Sequence, residues 1–386
     1  MVDLKEWLNQ QREQGGLRSL RPVIRREKGR LTLAGDDDRP LIDFSSNDYL
    51  ALAEHPTLIA AAHEALRRFG AGSGAARLMS GNLAIHHELE TAVALLKGKE
   101  NALTFGSGYL ANIGIIPALM TRHDLIFSDR LNHASIHDGC RLSGARVVRF
   151  RHNDLNHLED LLKKNRGTGT PLIVVESIYS MDGDRCPLRE LVKIKERFGC
   201  LLMVDEAHAT GIFGENGGGV SEEDEVSGAV DLAMGTFGKA LGSYGAYVAG
   251  NRELIEYLVN RARSFIFSTA LPPAVAAASL AAVHLVRQEP DLRRELQEKI
   301  GYFKALLRSG GYGADLGPSQ IIPILVGKSD VALDKAHLLK KQGIFATAVR
   351  PPTVPEGTAR LRFSITRHHS TTDLSLAAAA LLKIMD

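Results

Sequence analysis

The stretch CLLMVDE, residues 200–206, sets five apolar side chains in a row and then two carboxylates. A half-exposed strand would alternate polar and apolar residues, and an amphipathic helix would repeat every three or four. A short unbroken run reads as a strand buried on both faces, with functional residues at its C-terminal end. LIVVES (172–177) and VDLAMGT (230–236) have the same character. Between them LRELVKIKERFG (188–199) has helical spacing, with Gly199 placed to close the helix. Strand and helix alternate in this way over roughly 200 residues, which predicts an α/β domain around a largely parallel sheet.

Working outward, the region near 272–308 is rich in helix patterns. Beyond it ARLRFSIT (359–366) alternates Arg360, Arg362, Ser364 and Thr366 with Leu361, Phe363 and Ile365. That period of two predicts a half-exposed strand in a separate, smaller α+β domain. We expect an N-terminal helix and arm over 1–45, a large α/β domain over 46–285 and the α+β domain over 286–386.

The bulk composition narrows the function classes. A net charge of +2 over 386 residues argues against a nucleic-acid binder. Cys140, Cys186 and Cys200 form no CxxC pair and no even set, so the expectation is a reducing cytoplasm. The N-terminal MVDLKEWLNQQREQGGLRSLR carries charges where a secretory signal needs an apolar run. Its Leu4, Trp7, Leu8 and Gln11 follow helical spacing, with Gly15 and Gly16 as the C-cap. The apolar stretch 272–286 is too short to span a bilayer, so the expectation is a soluble protein with no membrane partner.

Two strings mislead. DEAH (205–208) resembles a helicase box, but that chemistry needs an upstream GxxxxGK[ST] loop. Near Lys99, position 93 is Val and position 100 is Glu; after Lys239 comes Ala240. The 14 histidines include no HExxH and no Cys/His quartet, so no metal is expected. His86 and His87, beside Glu88 on a helix pattern, read as a solvated pair.

The expected strand ends carry a more coherent set. TFGSGYLANIG (104–114) reads as strand, Gly-Ser-Gly turn and helix, whose exposed amides and dipole would hold a phosphate. DRLNHASIHDG (129–139) supplies His133. Asp205 ends the most apolar strand, where a bare charge is costly unless a cation faces it. His208 follows three residues later, and Lys239 lies in GTFGKALGSYG (235–245), just past Thr236. One ligand uses all of these groups together: pyridoxal 5′-phosphate, whose phosphate takes a helix N-terminus, whose ring nitrogen takes a carboxylate and whose aldehyde takes a lysine.

Beyond this, FSSNDYLAL (44–52), GSGAARLMSGN (72–82), NHASIHDG, SIYSMDGD (177–184), VDEAHATGIFG, GTFGKALGSYG, FSTALPPA (267–274) and RPPTVPEGTARLR (350–362) resemble, in order, the α-oxoamine synthases. These are fold-type-I pyridoxal phosphate enzymes with a mostly parallel large domain and a smaller C-terminal α+β domain. The resemblance implies a decarboxylative acyl transfer to an α-amino acid. QREQGGLRSLR and RPPTVPEGTARLR are most similar to members that join L-alanine to a pimeloyl group on CoA or an acyl carrier protein. Siblings using glycine or serine with other acyl-CoAs share the same cofactor set. Residue by residue, the resemblance implies that Lys239 binds the cofactor aldehyde and then acts as base. Asp205 would pair with the ring nitrogen, His208 with the phenolic oxygen, and His133 would stack on the ring. The Gly108 and Tyr109 amides and Thr236 would hold the phosphate, and Ser180 would touch the cofactor. Ser268 and Thr269 would reach the phosphate of a neighbouring subunit, which implies a homodimer. Arg350 would clamp the amino-acid carboxylate, with Arg21, Asn47 and Thr353 as further substrate contacts. Ala75-Ala76 stands where related sequences often have Gly-Ser.

Overall fold

The computed structural model describes residues 3–13, 16–35, 39–165 and 169–385. The chain forms two compact units. One comprises residues 50–180 and 184–294; the other comprises 1–49, 181–183 and 295–386.

The larger unit is built on a seven-stranded sheet. In spatial order its strands are Asn101–Phe105, Ala246–Gly250, Leu232–Thr236, Leu201–Asp205, Leu172–Glu176, Leu125–Asp129 and Arg146–Phe150. The last five run parallel, and Ala246–Gly250 is antiparallel to both its neighbours. The three apolar runs of the sequence are therefore adjacent strands at the centre of this sheet. Leu172–Glu176 is buried at every position, as strands covered on both faces must be. Their register sets Glu176 beside Asp205 and Asp205 beside Met234, so chemical groups collect along one edge. This is the usual place for ligands in open α/β sheets, outside the carboxyl ends of the strands.

The helix Leu188–Phe198 buries Leu188, Leu191, Val192 and Ile194 and turns its charges outward. Gly199 ends it at φ 63°, a left-handed value that glycine adopts without a Cβ clash. A contiguous core, including Ile115, Ile126, Val174, Met203, Leu232 and Val248, fills the space beneath the sheet. Complete removal of each such side chain from water stabilises the fold by about 1.5–3 kcal/mol. Among the described residues no helix is long and apolar enough to cross a membrane.

The second unit contains a three-stranded antiparallel sheet in which Ala359–Ser364 lies between Ile321–Gly327 and Thr347–Val349. The expectation of a half-exposed strand at ARLRFSIT is wrong, because all six residues of Ala359–Ser364 are buried. The guanidiniums make burial tolerable by finding partners. Arg360 donates from Nη1 to Asp182 Oδ1 at 2.5 Å and to the Met181 carbonyl at 3.2 Å. Arg362 donates to Ser364 Oγ at 2.7 Å and to Tyr49 Oη at 3.2 Å. A four-stranded sheet, Val23–Glu27, Arg30–Leu33, Leu41–Asp43 and Ile344–Phe345, completes this unit.

The N-terminal helix spans Leu4–Glu13, with Leu4 and Trp7 exposed. Gly15 lies outside the described residues, and Gly16 N donates to the Gln11 carbonyl at 2.8 Å. His86 is also a correction. It is buried completely in the helix Ala84–Lys97, with Nδ1 accepting from Leu83 N and Nε2 2.9 Å from the Leu271 carbonyl. The backbone acceptor offered by the Leu271 segment is invisible from the local sequence. His87 is exposed.

Candidate active site

At the carboxyl edge of the large sheet lies a cavity of about 200 Å³. Gly108, Tyr109, His133, Asp205, His208, Thr236 and Lys239 line it together. Seven positions singled out from four separate strings thus share one space.

Lys239 is carried on the turn that follows Leu232–Thr236. Phe237 N donates to Gly245 O and Ser243 N to Phe237 O, both at 2.9 Å, which folds the segment back on itself. Gly242 takes φ 61°, and a Cβ there would come within 2.4 Å of Ala53 N, so this position demands glycine. The half-buried Lys239 places Nζ 2.9 Å from His208 Nε2. His208 itself is buried, on the turn that leaves Leu201–Asp205.

Asp205 is 5% exposed. Its Oδ1 accepts from Ala207 N at 3.0 Å and its Oδ2 from Asn112 Nδ2 at 3.1 Å. Asn112 Nδ2 also donates to Ser135 Oγ at 2.9 Å, and Ser135 Oγ lies 2.7 Å from His133 Nδ1. A chain of hydrogen bonds therefore runs from the carboxylate to the imidazole. His133 caps the helix Ala134–Ser143, with Nδ1 accepting from Ser135 N at 3.2 Å. Burial lowers the His133 pKa below the usual histidine value; the Asp205 charge opposes this and Lys239 adds to it. The ring is neutral at pH 7, with its proton on Nε2.

The helix Gly108–Leu119 begins at the cavity wall. Ser107 is its N-cap, accepting from Leu110 N at 3.2 Å. The amides of Gly108 and Tyr109 are in the first turn, where no intrahelical acceptor exists. A Cβ on Gly108 would crowd Met234 Cε at 3.3 Å, so glycine keeps the helix start close to the sheet. The Tyr109 side chain is exposed and donates to Asp138 Oδ2 at 2.6 Å. Thr236 Oγ1 donates to the Gly245 carbonyl at 2.8 Å and accepts from Gly238 N at 3.1 Å.

Asn112, Ser135, Glu176, Ala207 and Met234 also line the cavity and were missed in the sequence. Glu176 had a legible signal, since it ends an apolar strand just as Asp205 does. It is buried, and its Oε1 accepts from His133 N at 2.5 Å. Burial first, and then the neighbouring Asp205 charge, raise its pKa well above the carboxylate range.

Ser180 lies half-buried four residues beyond the strand Leu172–Glu176, outside the set that lines this cavity. Ser268 and Thr269 line a different, small recess with Arg77, Thr104 and Phe265. There Thr269 bridges to Ala76, and Ala270 N donates to the Ala75 carbonyl at 3.0 Å. The Ala75-Ala76 backbone is thus the rail on which the Ser268–Thr269 segment rests. Arg21, Asn47, Arg350 and Thr353 belong to the second unit. Within it Arg21 is exposed, and Thr353 N donates to the Arg350 carbonyl at 3.0 Å. Thr353 Oγ1 accepts from Arg18 at 3.1 Å, and Asn47 Oδ1 accepts from Tyr49 Oη at 2.9 Å.

The donor set fits pyridoxal 5′-phosphate. A buried carboxylate and a lysine paired with an imidazole face one cavity with free first-turn amides. The buried Asn112 Oδ1, also on that wall, has no partner among the described residues and can accept from a ligand.

The model of the aminotransferase class I and II family matches residues 39–381. An 8-amino-7-oxononanoate synthase of Geobacter sulfurreducens is 51% identical over 380 residues, covering 98% of this chain and 96% of its own. The synthase of the same name from Pelobacter propionicus is 50% identical over 383 residues, covering 99% of this chain and 97% of its own. Among solved structures, a serine palmitoyltransferase from S. paucimobilis with a bound PLP–myriocin adduct superposes with a TM-score of 0.94 at 29% identity, covering 100% of this chain and 98% of that one. An 8-amino-7-oxononanoate synthase from Francisella tularensis gives a TM-score of 0.77 at 30% identity, covering 89% and 97%.

Proposed function

The chain belongs to the aminotransferase class I and II family, and we propose that within it the protein acts as an 8-amino-7-oxononanoate synthase, a pyridoxal phosphate-dependent α-oxoamine synthase of biotin biosynthesis. The reaction joins L-alanine to a pimeloyl thioester and releases CoA, or the thiol of a carrier protein, together with CO₂. The observation that carries the reading is the cavity in which Lys239, His208 and Asp205 meet a helix N-terminus, in a chain half identical to synthases of that name.

The cofactor, when bound, supplies an electron sink for the bond broken at the alanine Cα. The protein's residues do the remaining work. Lys239 Nζ takes up the Cα proton and later returns it. His208, 2.9 Å away, orients that amine. Asp205, fixed by Ala207 N and Asn112, would hold a proton on the cofactor's ring nitrogen. His133, kept neutral and fixed at Nδ1, offers a flat apolar surface to the ring. The Gly108 and Tyr109 amides would bind the phosphate, joined by the Thr236 hydroxyl once it turns from the Gly245 carbonyl; a cofactor contact from Ser180, outside the set that lines the cavity, rests on the family resemblance. Arg350 binds the amino-acid carboxylate, with Arg21, Asn47 and Thr353 as additional substrate contacts; these four rest on the family resemblance.

The placement of Ser268 and Thr269 in a recess apart from the Lys239 cavity supports their use by a second copy of the chain, and so a homodimer. Three buried, unbridged cysteines support a cytoplasmic location.

A serine-and-acyl-CoA reading is favoured by the TM-score of 0.94 to a serine palmitoyltransferase. Identity of 51% against 29% supports the alanine reading over it. The test is thiol release by purified holoenzyme with three pairs: L-alanine and pimeloyl-CoA, glycine and acetyl-CoA, L-serine and palmitoyl-CoA. Clear preference for the first pair is expected; preference for either other pair overturns the substrate assignment.

A further inference from the structure

Away from the cavity, His152 has a carboxylate on each ring nitrogen. Nδ1 lies 3.0 Å from Asp129 Oδ1, and Nε2 lies 2.6 Å from Asp184 Oδ2. Ionised carboxylates only accept, so each nitrogen must carry a hydrogen and the ring is an imidazolium. The His152 side chain is 16% exposed, Asp129 is 0% exposed and Asp184 34%. Tyr179 closes the ring face edge-on at 4.4 Å. Burial opposes the charge, but the two carboxylates outweigh it and raise the His152 pKa to about 10.

Each carboxylate also fixes a loop. Asp129 Oδ1 accepts from Leu131 N at 2.8 Å, at the start of the turn that leads to His133. Its Oδ2 accepts from Asn153 N at 2.9 Å. Asp184 closes the loop that contains Ser180: its carbonyl accepts from Tyr179 N at 3.1 Å beside the Ile178–Arg185 bridge. Asn153, at φ 52°, turns its amide to Asp184 Oδ2 at 2.7 Å and so braces the same junction. A lone structural ion pair would join two points of the scaffold. This one joins the two loops that carry His133 and Ser180.

We propose that His152, held as an imidazolium between Asp129 and Asp184, is a positioning residue that locks the His133 turn to the Ser180 loop and thereby pre-organises the cofactor site. The proposal rests on the roles given above to His133 and Ser180.

The first test is ¹⁵N NMR of the holoenzyme labelled at histidine, with His152→Gln to assign the signal. Both ring nitrogens protonated from about pH 6 to about pH 9 is expected for a group with the ordinary histidine value near 6.5 shifted this far. A ring with one bare nitrogen at pH 7 overturns the proposal. The second is absorbance titration of apo-protein with pyridoxal phosphate. His152→Gln should bind it roughly tenfold or more weakly and lose on the order of 10²-fold in kcat, as small displacements near a reacting centre do. Adding Asp184→Asn, which removes the unbalanced charge, should restore part of both. An unchanged cofactor Kd and kcat, with only a lowered melting temperature, also overturns the proposal. Protonation and cofactor affinity are read without alanine or a thioester, so these outcomes stand whatever the substrate assignment proves to be.

Discussion

Removing the cation at Lys97 should expose how much of the large unit rests on one ion pair behind the active site. Lys97 ends the helix Ala84–Lys97, and Glu206 follows Asp205 directly; both side chains are 0% exposed. Lys97 Nζ donates to Glu206 Oε2 and to the Gly218 carbonyl. The carboxylate is completed by Ser221, whose N donates at 2.9 Å and whose Oγ donates at 2.8 Å. Burial disfavours the ammonium, but the Glu206 charge outweighs it, so the Lys97 pKa is raised. Lys97→Met leaves a buried carboxylate with Ser221 alone, which costs about 3–5 kcal/mol. Glu206→Gln strands the ammonium at a similar cost. In the double variant the amide oxygen still accepts from Ser221 and no charge remains, so its cost falls to about 1–3 kcal/mol, that of imperfect pairing. The double should therefore be more stable than either single, a coupling of several kcal/mol, measured by urea unfolding of the holoenzyme. Singles that cost under about 1 kcal/mol, or strictly additive costs, would refute the reasoning and mean that water solvates the pair.

Lys239→Ala should abolish both turnover and the visible absorbance of the lysine-bound cofactor; surviving turnover sinks the role given to this lysine. Asp205→Asn should still bind the cofactor but lose most of its rate, seen as a fall in kcat with little change in cofactor Kd; a near-normal kcat refutes it. The charge on His152 makes stability depend on pH. The group is raised from near 6.5 in the unfolded chain to about 10 when folded, so its contribution is whole below about pH 6.5 and is lost as pH rises toward about 10. Linkage sets a ceiling of about 5 kcal/mol, and screening at a partly accessible ring reduces it to about 2–3 kcal/mol. The urea-unfolding difference between wild type and His152→Gln should shrink by that amount between about pH 7 and about pH 10. A difference that stays constant contradicts the assignment.

The parts of the fold legible in the sequence were those with a strong local pattern. CLLMVDE, LIVVES and VDLAMGT became adjacent buried strands because short, mostly apolar runs have few other places to go. The strand-turn-helix of TFGSGYLANIG is equally local, with Ser107 as N-cap. What failed depended on distant partners. The arginines of ARLRFSIT look solvent-facing until Asp182 and Tyr49 arrive from elsewhere in the chain. His86 looks solvated until the Leu271 carbonyl closes on it. Glu176 is legible as a carboxylate at the end of an apolar strand, but its pairing with Asp205 lies in the register, which one strand alone does not reveal. The DEAH string is resolved in the same way, with its second carboxylate serving Lys97.

The most direct test of the account is to follow the carboxyl carbon of L-alanine. Holoenzyme is given L-alanine labelled with ¹³C at C1 together with pimeloyl-CoA, and the label is traced by mass spectrometry. The account predicts that all of it leaves as CO₂, in step with CoA release, while the alanine nitrogen, Cα and methyl carbon remain in an amino-oxo acid product. Label retained in an N-acylated alanine, or recovered in pyruvate, would contradict carbon–carbon bond formation at the Lys239 cavity.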